Sequence, residues 1–563
     1  MTNKENADKK KENEPLGKTS SPQREPNKTS VFFFWVKNEV RINPFDFVIA
    51  EHIDGSRTVG IIDEIFAYTD SDSHLTNYIG SELGEPTAQP YVDRVSTMVA
   101  RAQVLRNMRN DDREELYMPI PAERKVYFAD ENAIRSALGF DQILGTPIPG
   151  GLIKQSNGNL IPVYLDSAYI VGPEGAHANA AGISGLATKT SYLMFLIYSI
   201  YKRLKNVSIV IFNVKHSDLL HIDEKADDLT EHDKEMYKRL GLDVTPFENV
   251  TYFLPRGRSG RPDSDEPPQE YRLYAYALQD VYHSLDLLFA DVPDPQFTID
   301  AFVRYFRDNW QRGRVVFEGE YRNRTYRREV RTWEELRNTP DNILGVSIYG
   351  FPTHSTPPRI KRELRRLTSY SIFVNRRSAK EVYLGEAIRN NIKSHHISVI
   401  DIYRVPSINW PFIIGDVMRN IEQLYRETEL RKLPHLLIFI DELNTFAPAG
   451  EREPNPVTEQ IIEIARKGRA RRTALFGAQQ FKSEVHKQVW GNCTLHVIGR
   501  TGSAELRTAP YGELDEHTKN QILNLRQGEM VLSFKVWRYP IKIIFPRPPY
   551  KRPDRRPARG QDG

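Results

Sequence analysis

The sequence predicts an α/β fold: a parallel sheet core, a small β-barrel ahead of it, and a mainly helical insertion inside it. Three observations carry this. A strand-like YIVGPEGAHANAAG, a glycine-containing turn, an apolar helix TSYLMFLIYSIYKRLK and the strand VSIVIFNV follow one another as in a βαβ unit. Apolar strands resume after residue 394 as HISVIDIYRV, HLLIFIDEL, RTALFGAQQ and TLHVIGR. Ahead of both, residues 30–167 read as short β-branched and aromatic runs separated by turn signals.

In chain order, residues 1–29 hold Lys, Glu, Asn, Ser and Pro with almost nothing apolar, which predicts a disordered tail. From Ser30 the text changes to VFFFWVKNEVRINPFDFVIAEHIDGSRTVGIIDEIFAY, with Asp54-Gly55 as a hairpin turn. VSTMVARAQVL and KVYFA follow, then Asn157-Gly158 and NLIPVYLD, so the barrel is expected to end at 167. The α/β core is expected over 168–220 and 395–548. Between them, 221–394 contains the linker LPRGRSGRPDSDEPPQE and the helix-like YRLYAYALQDVYHSLDLLF. Residues 549–563 read as a basic, proline-rich tail, and no internal repeat is present.

Composition bounds the partners. At 563 residues, with 27% charged and 39% hydrophobic, the chain is large enough for several domains. Its mean hydropathy is −0.54. The run YLMFLIYSIY is far shorter than the ~20 residues a membrane span needs, and the polar start MTNKENADKKKENEP has no apolar signal region. The expectation is a protein with no membrane partner, in the cytoplasm. One cysteine, Cys493, excludes an intramolecular disulfide and a cysteine-rich zinc site. His395-His396 lack metal-ligand spacing and read as structural. A net charge of +4 is too small to indicate a nucleic-acid partner by itself.

The chemistry sits in two motifs. GISGLATKTSYL, residues 182–193, is close to the phosphate loop G-x-x-x-x-G-K-[ST]. Lys189-Thr190 is present, but Thr188 replaces the glycine before the lysine and Ile183 occupies the first glycine position. Such a loop aims backbone N–H groups at phosphate from a helix N-terminus. Candidate binding residues are Gly182, Ser184, Gly185, Ala187, Thr188, Lys189, Thr190 and Ser191. Gly182 and Gly185 supply close approach, while Ala187 and Ser191 keep the turn small. Lys189 supplies a point charge for the phosphates, and the Thr190 hydroxyl serves Mg²⁺. The second motif is HLLIFIDEL, an apolar strand ending in Asp441-Glu442. At a strand's carboxyl end Asp441 would hold magnesium and Glu442 would take the proton of an attacking water. Buried strands ending in Asp-Glu occur without such a role; the two motifs together point to ATP and Mg²⁺ as cofactors.

With these residues the chain resembles the HerA-type ATPases of the HerA/FtsK group of RecA-like DNA motors. The resemblance rests on PFDFVIAEHIDGSRTVGIIDEI, GISGLATKTSY, VIFNVKHSDLL, LLIFIDELNTFAP, IIEIARKGRARRTALFGAQQ and LRQGEMVLSFKVWRYPIKIIFPRP. These cover most of the chain outside the tails and much of 221–394, and TKTS departs from the usual GKS or GKT. It implies a HAS-type N-terminal barrel, a RecA-like P-loop ATPase core and a homo-hexameric ring around double-stranded DNA. It also implies an arginine from a neighbouring subunit at the γ-phosphate, with Arg469 favoured, Arg466 second, and Arg471 and Arg472 the other candidates. Gln479 and Gln480 fall where the family has a polar sensor; they point to opposite faces of a strand, so only one faces the nucleotide. Lys215 and Asp218 match positions functional in relatives, or form a strand-end salt bridge.

The implied activity is ATP-driven translocation on double-stranded DNA. The implied partner is a separate nuclease of NurA-like kind, or a defence effector, docked on the barrel face. RIKRELRR (359–366) and RKGRARR are candidate phosphate contacts, or solvated and subunit-facing helices. Two rival readings stay open: a nucleotide-binding scaffold ring with little turnover, and an export or protein-remodelling ATPase.

Overall fold

The computed structural model describes residues 14–80, 95–109, 115–183, 185, 188–353, 355–450 and 455–552. Six strands form a closed barrel: β1 (Gly17–Ser20), β2 (Val31–Val36), β3 (Phe47–Glu51), β4 (Arg57–Thr69), β5 (Ser96–Met108) and β6 (Lys125–Phe128), in the order β1-β2-β5-β4-β3-β6. The period of two along VFFFWV explains its interior, since Phe32, Phe34 and Val36 are buried while Trp35 is exposed. The Asp54-Gly55 turn takes positive φ at both residues (55° and 70°), as the hairpin signal requires.

Two expectations about this region need correction. The segment expected to be a disordered tail supplies β1, which pairs with both β2 and β6. Its polar sequence GKTS hid it: the strand is held by its backbone ladder, by buried Leu16 and by the Thr19 hydroxyl donating to the Pro121 carbonyl (2.7 Å). The barrel also closes at Phe128 rather than near 167. β7 (Pro147–Lys154) and β8 (Leu160–Asp166), joined through Asn157-Gly158, pair antiparallel with each other, and β7 pairs with a strand of the main sheet.

The main sheet has 13 strands in the order β16-β12-β11-β17-β10-β18-β19-β9-β20-β21-β22-β7-β8. Its remaining members are β9 (Ala178–Ala181), β10 (Val207–Asn213), β11 (Val250–Pro255), β12 (Arg272–Tyr274), β16 (Glu381–Val382), β17 (His396–Asp401), β18 (His435–Asp441), β19 (Thr473–Gln479), β20 (Leu495–Ile498), β21 (Glu529–Phe534) and β22 (Ile541–Ile544). From β16 through β20 every pairing is parallel; β20-β21, β21-β22 and β22-β7 are antiparallel. Parallel strands are covered on both faces, which is why β10, β18 and β19 read as near-continuous apolar runs. Two large apolar clusters flank the sheet, one shared with the barrel and one with the insertion.

The interval 221–394 is less purely helical than its sequence suggests. It contributes β11, β12 and β16 to the sheet edge. It also holds a separate sheet of β13 (Trp310–Gln311), β14 (Arg314–Tyr321) and β15 (Arg324–Val330) among helices such as Thr298–Asp308, Asp341–Tyr349 and Thr356–Leu367. The start of the expected C-terminal tail is packed too. Tyr550 is buried, and Lys551 and Arg552 pair with Glu224 and Asp228.

Helix Lys189–Arg203 follows β9 and is buried on every side from Tyr192 to Tyr201. Its apolar run therefore reflects burial all round rather than a membrane. Phe195 and Tyr192 pack on Phe545, Tyr198 and Tyr201 pack edge-on against Phe247, and the Tyr192 hydroxyl donates to the Gly150 carbonyl (2.9 Å). This clamp fixes where the helix begins, and hence where Lys189 and Thr190 stand. Among the described residues no helix is long and apolar enough to cross a membrane.

Candidate functional site

Sheet order brings the two sequence motifs together. β9 runs into the loop and the helix beginning at Lys189; β19 lies beside β9, β18 beside β19, and β10 beside β18. All four are parallel, so the loop and the residues following β10, β18 and β19 share one edge, the carboxyl edge where ligands bind in open α/β sheets.

At that edge the Thr190 hydroxyl donates to Asp441 Oδ2 at 2.8 Å, across 251 positions of chain. Asp441 is buried, and its Oδ1 accepts the Glu442 N–H (2.9 Å). Glu442 sits in left-handed backbone (φ 54°), which turns its carboxylate off the strand line. Lys215, two residues beyond β10, places its ammonium 2.9 Å from Asp441 and 2.8 Å from Glu442. Burial disfavours that ammonium, but Asp441 and Glu442 outweigh it and raise the Lys215 pKa. Lys189 is also buried, with Nζ 3.4 Å from the Gly182 carbonyl. Burial first, then the Lys215 charge, lowers its pKa against the opposing pull of Asp441 and Glu442. Two ammonium groups and two carboxylates thus balance one another. Lys215 occupies the space between the carboxylates that the sequence reading assigned to a metal and a base.

The irregular loop keeps the backbone of the usual motif without its glycine. Thr188 is left-handed (φ 44°, ψ 29°), a conformation that suits glycine and strains a β-branched residue. Its hydroxyl is buried with no hydrogen-bond partner among the described residues. Gly182 (φ 153°) and Gly185 (φ 80°) take the other positive-φ places, and a Cβ on Gly185 would meet open space. The Gly182 N–H donates to the Gln480 carbonyl (3.3 Å) and the Ile183 N–H to the Arg500 carbonyl (2.9 Å), tying the loop to both neighbouring strand ends. Ser191 is half-buried in the first helical turn. Ser184 and Ala187 lie outside the described residues.

The two glutamines separate. Gln479 is fully buried and exchanges two hydrogen bonds with the Asn179 side chain of β9 (3.2 and 2.8 Å), so its amide serves the sheet. Gln480, just past the strand and half-exposed beside the loop, is the one available to a ligand. The arginine candidates stand elsewhere. Arg472 immediately precedes β19, whereas Gln479 ends it, and seven strand steps separate them by roughly 23 Å. Arg471 is paired with Glu422 and Glu463, and Arg472 donates to the Leu433 carbonyl. Arg466 and Arg469 are exposed, Arg469 donating to the Glu174 carbonyl (3.2 Å). None of the four reaches this chain's own loop. The Asp218 N–H meets the Lys215 carbonyl (3.4 Å).

Two groups escaped the sequence reading. Asn179 stands among alanines in a strand with no motif to mark it. Arg500, exposed beside the loop at the end of β20, closes the strand TLHVIGR, but only strand order shows that β20 flanks β9.

The donor set fits a polyphosphate with a hard divalent cation. It offers a carboxylate and a hydroxyl within hydrogen-bond distance, a buried ammonium, and a helix N-terminus. Comparison with known proteins adds little. No family model matches the chain and no curated protein matches it. Among solved structures, VirB4 of Thermoanaerobacter pseudethanolicus aligns at 16% identity over 71% of this chain and 96% of that one, with a TM-score of 0.40. The bacterial conjugative coupling protein TrwB in its unbound form aligns at 12% over 70% and 90%, TM-score 0.41. The genome packaging NTPase B204 from Sulfolobus turreted icosahedral virus 2 aligns at 12% over 28% and 69%, TM-score 0.22. Scores this low say nothing of what this chain does.

Proposed function

We propose that this chain is a ring-forming, ATP-driven translocase on double-stranded DNA, of HerA type. In this reading it works in the cytoplasm with a separate NurA-like nuclease or a defence effector docked on the barrel. The observation that carries the reading is the Thr190–Asp441 hydrogen bond at 2.8 Å, with Lys189 and Glu442 beside it. Motifs 251 positions apart converge on the groups that ATP and Mg²⁺ need. Bound ATP with Mg²⁺ would supply the phosphoryl bond whose hydrolysis drives movement.

The residues divide the work. Lys189 offers its ammonium to phosphate oxygens, and Thr190 and Asp441 offer oxygens to the metal. Glu442 accepts a proton at its carboxylate, which requires Lys215 to release it first. Lys215 is therefore the group that must move between a resting and a working site. Gln480 stands where an uncharged amide can hydrogen-bond phosphate or water without charging the base. Arg469 and Arg466 stand ahead of the amino ends of β9 and β19, opposite the loop's edge, so we assign them to a neighbour's site, which favours a ring. A planar, permanently protonated guanidinium suits that role.

The test is steady-state ATP hydrolysis with and without linear duplex DNA, beside Glu442→Gln. DNA raising turnover several-fold, and the variant abolishing it, supports the motor. Wild type turning over no faster than Glu442→Gln in both conditions refutes it. That outcome would favour the nucleotide-binding scaffold, the reading to which strained Thr188 and the self-neutralised carboxylates lend weight.

A further inference from the structure

The β14–β15 hairpin in the insertion belongs neither to the sheet nor to the site. Cross-strand partners share a face, so the register divides its side chains into two sets. On one face Arg327 pairs with Glu318 (3.6 Å), and Glu329 takes both Arg314 and Arg331. That face is electrically satisfied. The other face is packed inward, with Val315, Phe317 and Val330 buried and Gly319 against Val346, but Arg328, opposite Phe317, and Arg324, opposite Tyr321, are exposed. Neither has an ion-pair partner among the described residues.

The turn adds a third cation. Arg322 and Asn323 both take positive φ (49° and 60°), the geometry of a two-residue hairpin turn that Asn-Gly adopts most easily. A long side chain there carries backbone strain, and strain is often kept where a side chain is useful. Arg322 lies over the Tyr321 ring (5.3 Å). Helix Asp341–Tyr349 packs on the hairpin and on helix Thr356–Leu367, where Arg362 and Arg365 are also exposed. On that helix Arg362 pairs with Glu363 (3.5 Å), whereas Arg322, Arg324, Arg328 and Arg365 have no ion pair among the described residues.

We propose that this hairpin, through Arg322, Arg324 and Arg328, is a phosphate-contacting surface for duplex DNA. The proposal rests on the motor reading and names where the DNA is held. Arginine forks match phosphate oxygens. The exposed residues of the two strands and their turn are Glu, Arg, Asn and Thr, with no large apolar side chain to enter a lipid layer. Contacts of this kind hold the backbone without reading sequence.

The experiment measures binding of the full chain to a short linear duplex across a salt series. It compares wild type, Arg324→Ala/Arg328→Ala, and the control Arg327→Ala. Each lost phosphate contact flattens the log–log salt dependence by about 0.9, so the double variant should lose about 2 of slope. The loss should be equal on unrelated sequences, with the control and DNA-free ATP hydrolysis unchanged. Equal slopes for wild type and double variant would overturn the hairpin assignment and leave the motor standing. Wild type that binds no duplex would overturn both. Loss of binding to polyglutamate or anionic vesicles, with duplex binding intact, would overturn it in favour of an acidic protein or a membrane.

Discussion

Thr188 offers the sharpest test of how the loop is built. Two costs meet there: a β-branched residue in left-handed backbone, about 1–2 kcal/mol, and a buried hydroxyl with no partner among the described residues, about 1–3 kcal/mol. Thr188→Gly removes both and returns about 0.5–1 kcal/mol through its freer unfolded chain. The net expectation is stabilisation by about 2 kcal/mol. Thr188→Val keeps the branch and the strain but drops the hydroxyl, so it should recover about half of that. Scanning calorimetry without nucleotide reads this as a rise of a few degrees for glycine and a smaller rise for valine. Binding of a fluorescent ATP analogue should be retained or tightened in Thr188→Gly, because glycine adopts this φ freely. If glycine instead lowers the melting temperature, or weakens binding tenfold while valine does not, the strain argument is wrong. The threonine side chain would then be shaping the loop.

Other expectations follow from the same geometry. Lys215→Met strips the ammonium from buried Asp441 and from Glu442 and should destabilise by about 2 kcal/mol; the fully buried figure is larger, but Lys215 keeps some solvent. A melting temperature like wild type would contradict the assignment. Burial holds His177 down at about 4 while its Nδ1 accepts the Leu475 N–H (2.9 Å). The unfolded chain therefore binds the extra proton first. This contribution is whole above about pH 6.5 and lost as pH falls towards 4, by at most about 3 kcal/mol. His177→Gln should flatten the fall of melting temperature over that window, and an unchanged slope would exclude His177 as its source. Gly468 has ordinary φ (−57°), but a Cβ would lie 2.3 Å from the Thr473 carbonyl oxygen and 2.5 Å from that of Ile464. Gly468→Ala should cost more than about 2 kcal/mol, seen as lower soluble yield and melting temperature; a wild-type melt would show that the segment bearing Arg466 and Arg469 can shift.

Local chemistry made part of this readable in the sequence. β10, β17, β18, β19 and β20 announced themselves because strands covered on both faces must be apolar throughout. Asp54-Gly55 and Asn157-Gly158 marked hairpins through the dihedrals those residues tolerate. Lys189-Thr190 and Asp441-Glu442 stood out because a phosphate loop and its partner strand need those side chains at those places. β1 was not readable, since GKTS is held by ladder hydrogen bonds that any sequence can make. The membership of β7 and β8 was not readable either, because a barrel strand and a sheet strand can share one alternation.

By itself, then, the sequence marked the buried parallel strands, the two hairpin turns and a pair of motifs whose side chains suit a nucleotide. It did so because periodicity, turn propensity and side-chain chemistry are local. Tertiary structure decided the rest. It set β19 between β9 and β18, turned Gln479 onto Asn179 and left Gln480 beside the loop. It lodged Lys215 between Asp441 and Glu442 and placed the arginines at the far end of the sheet. Those outcomes depend on strand order and on which strand ends meet, and both follow from packing between residues hundreds of positions apart.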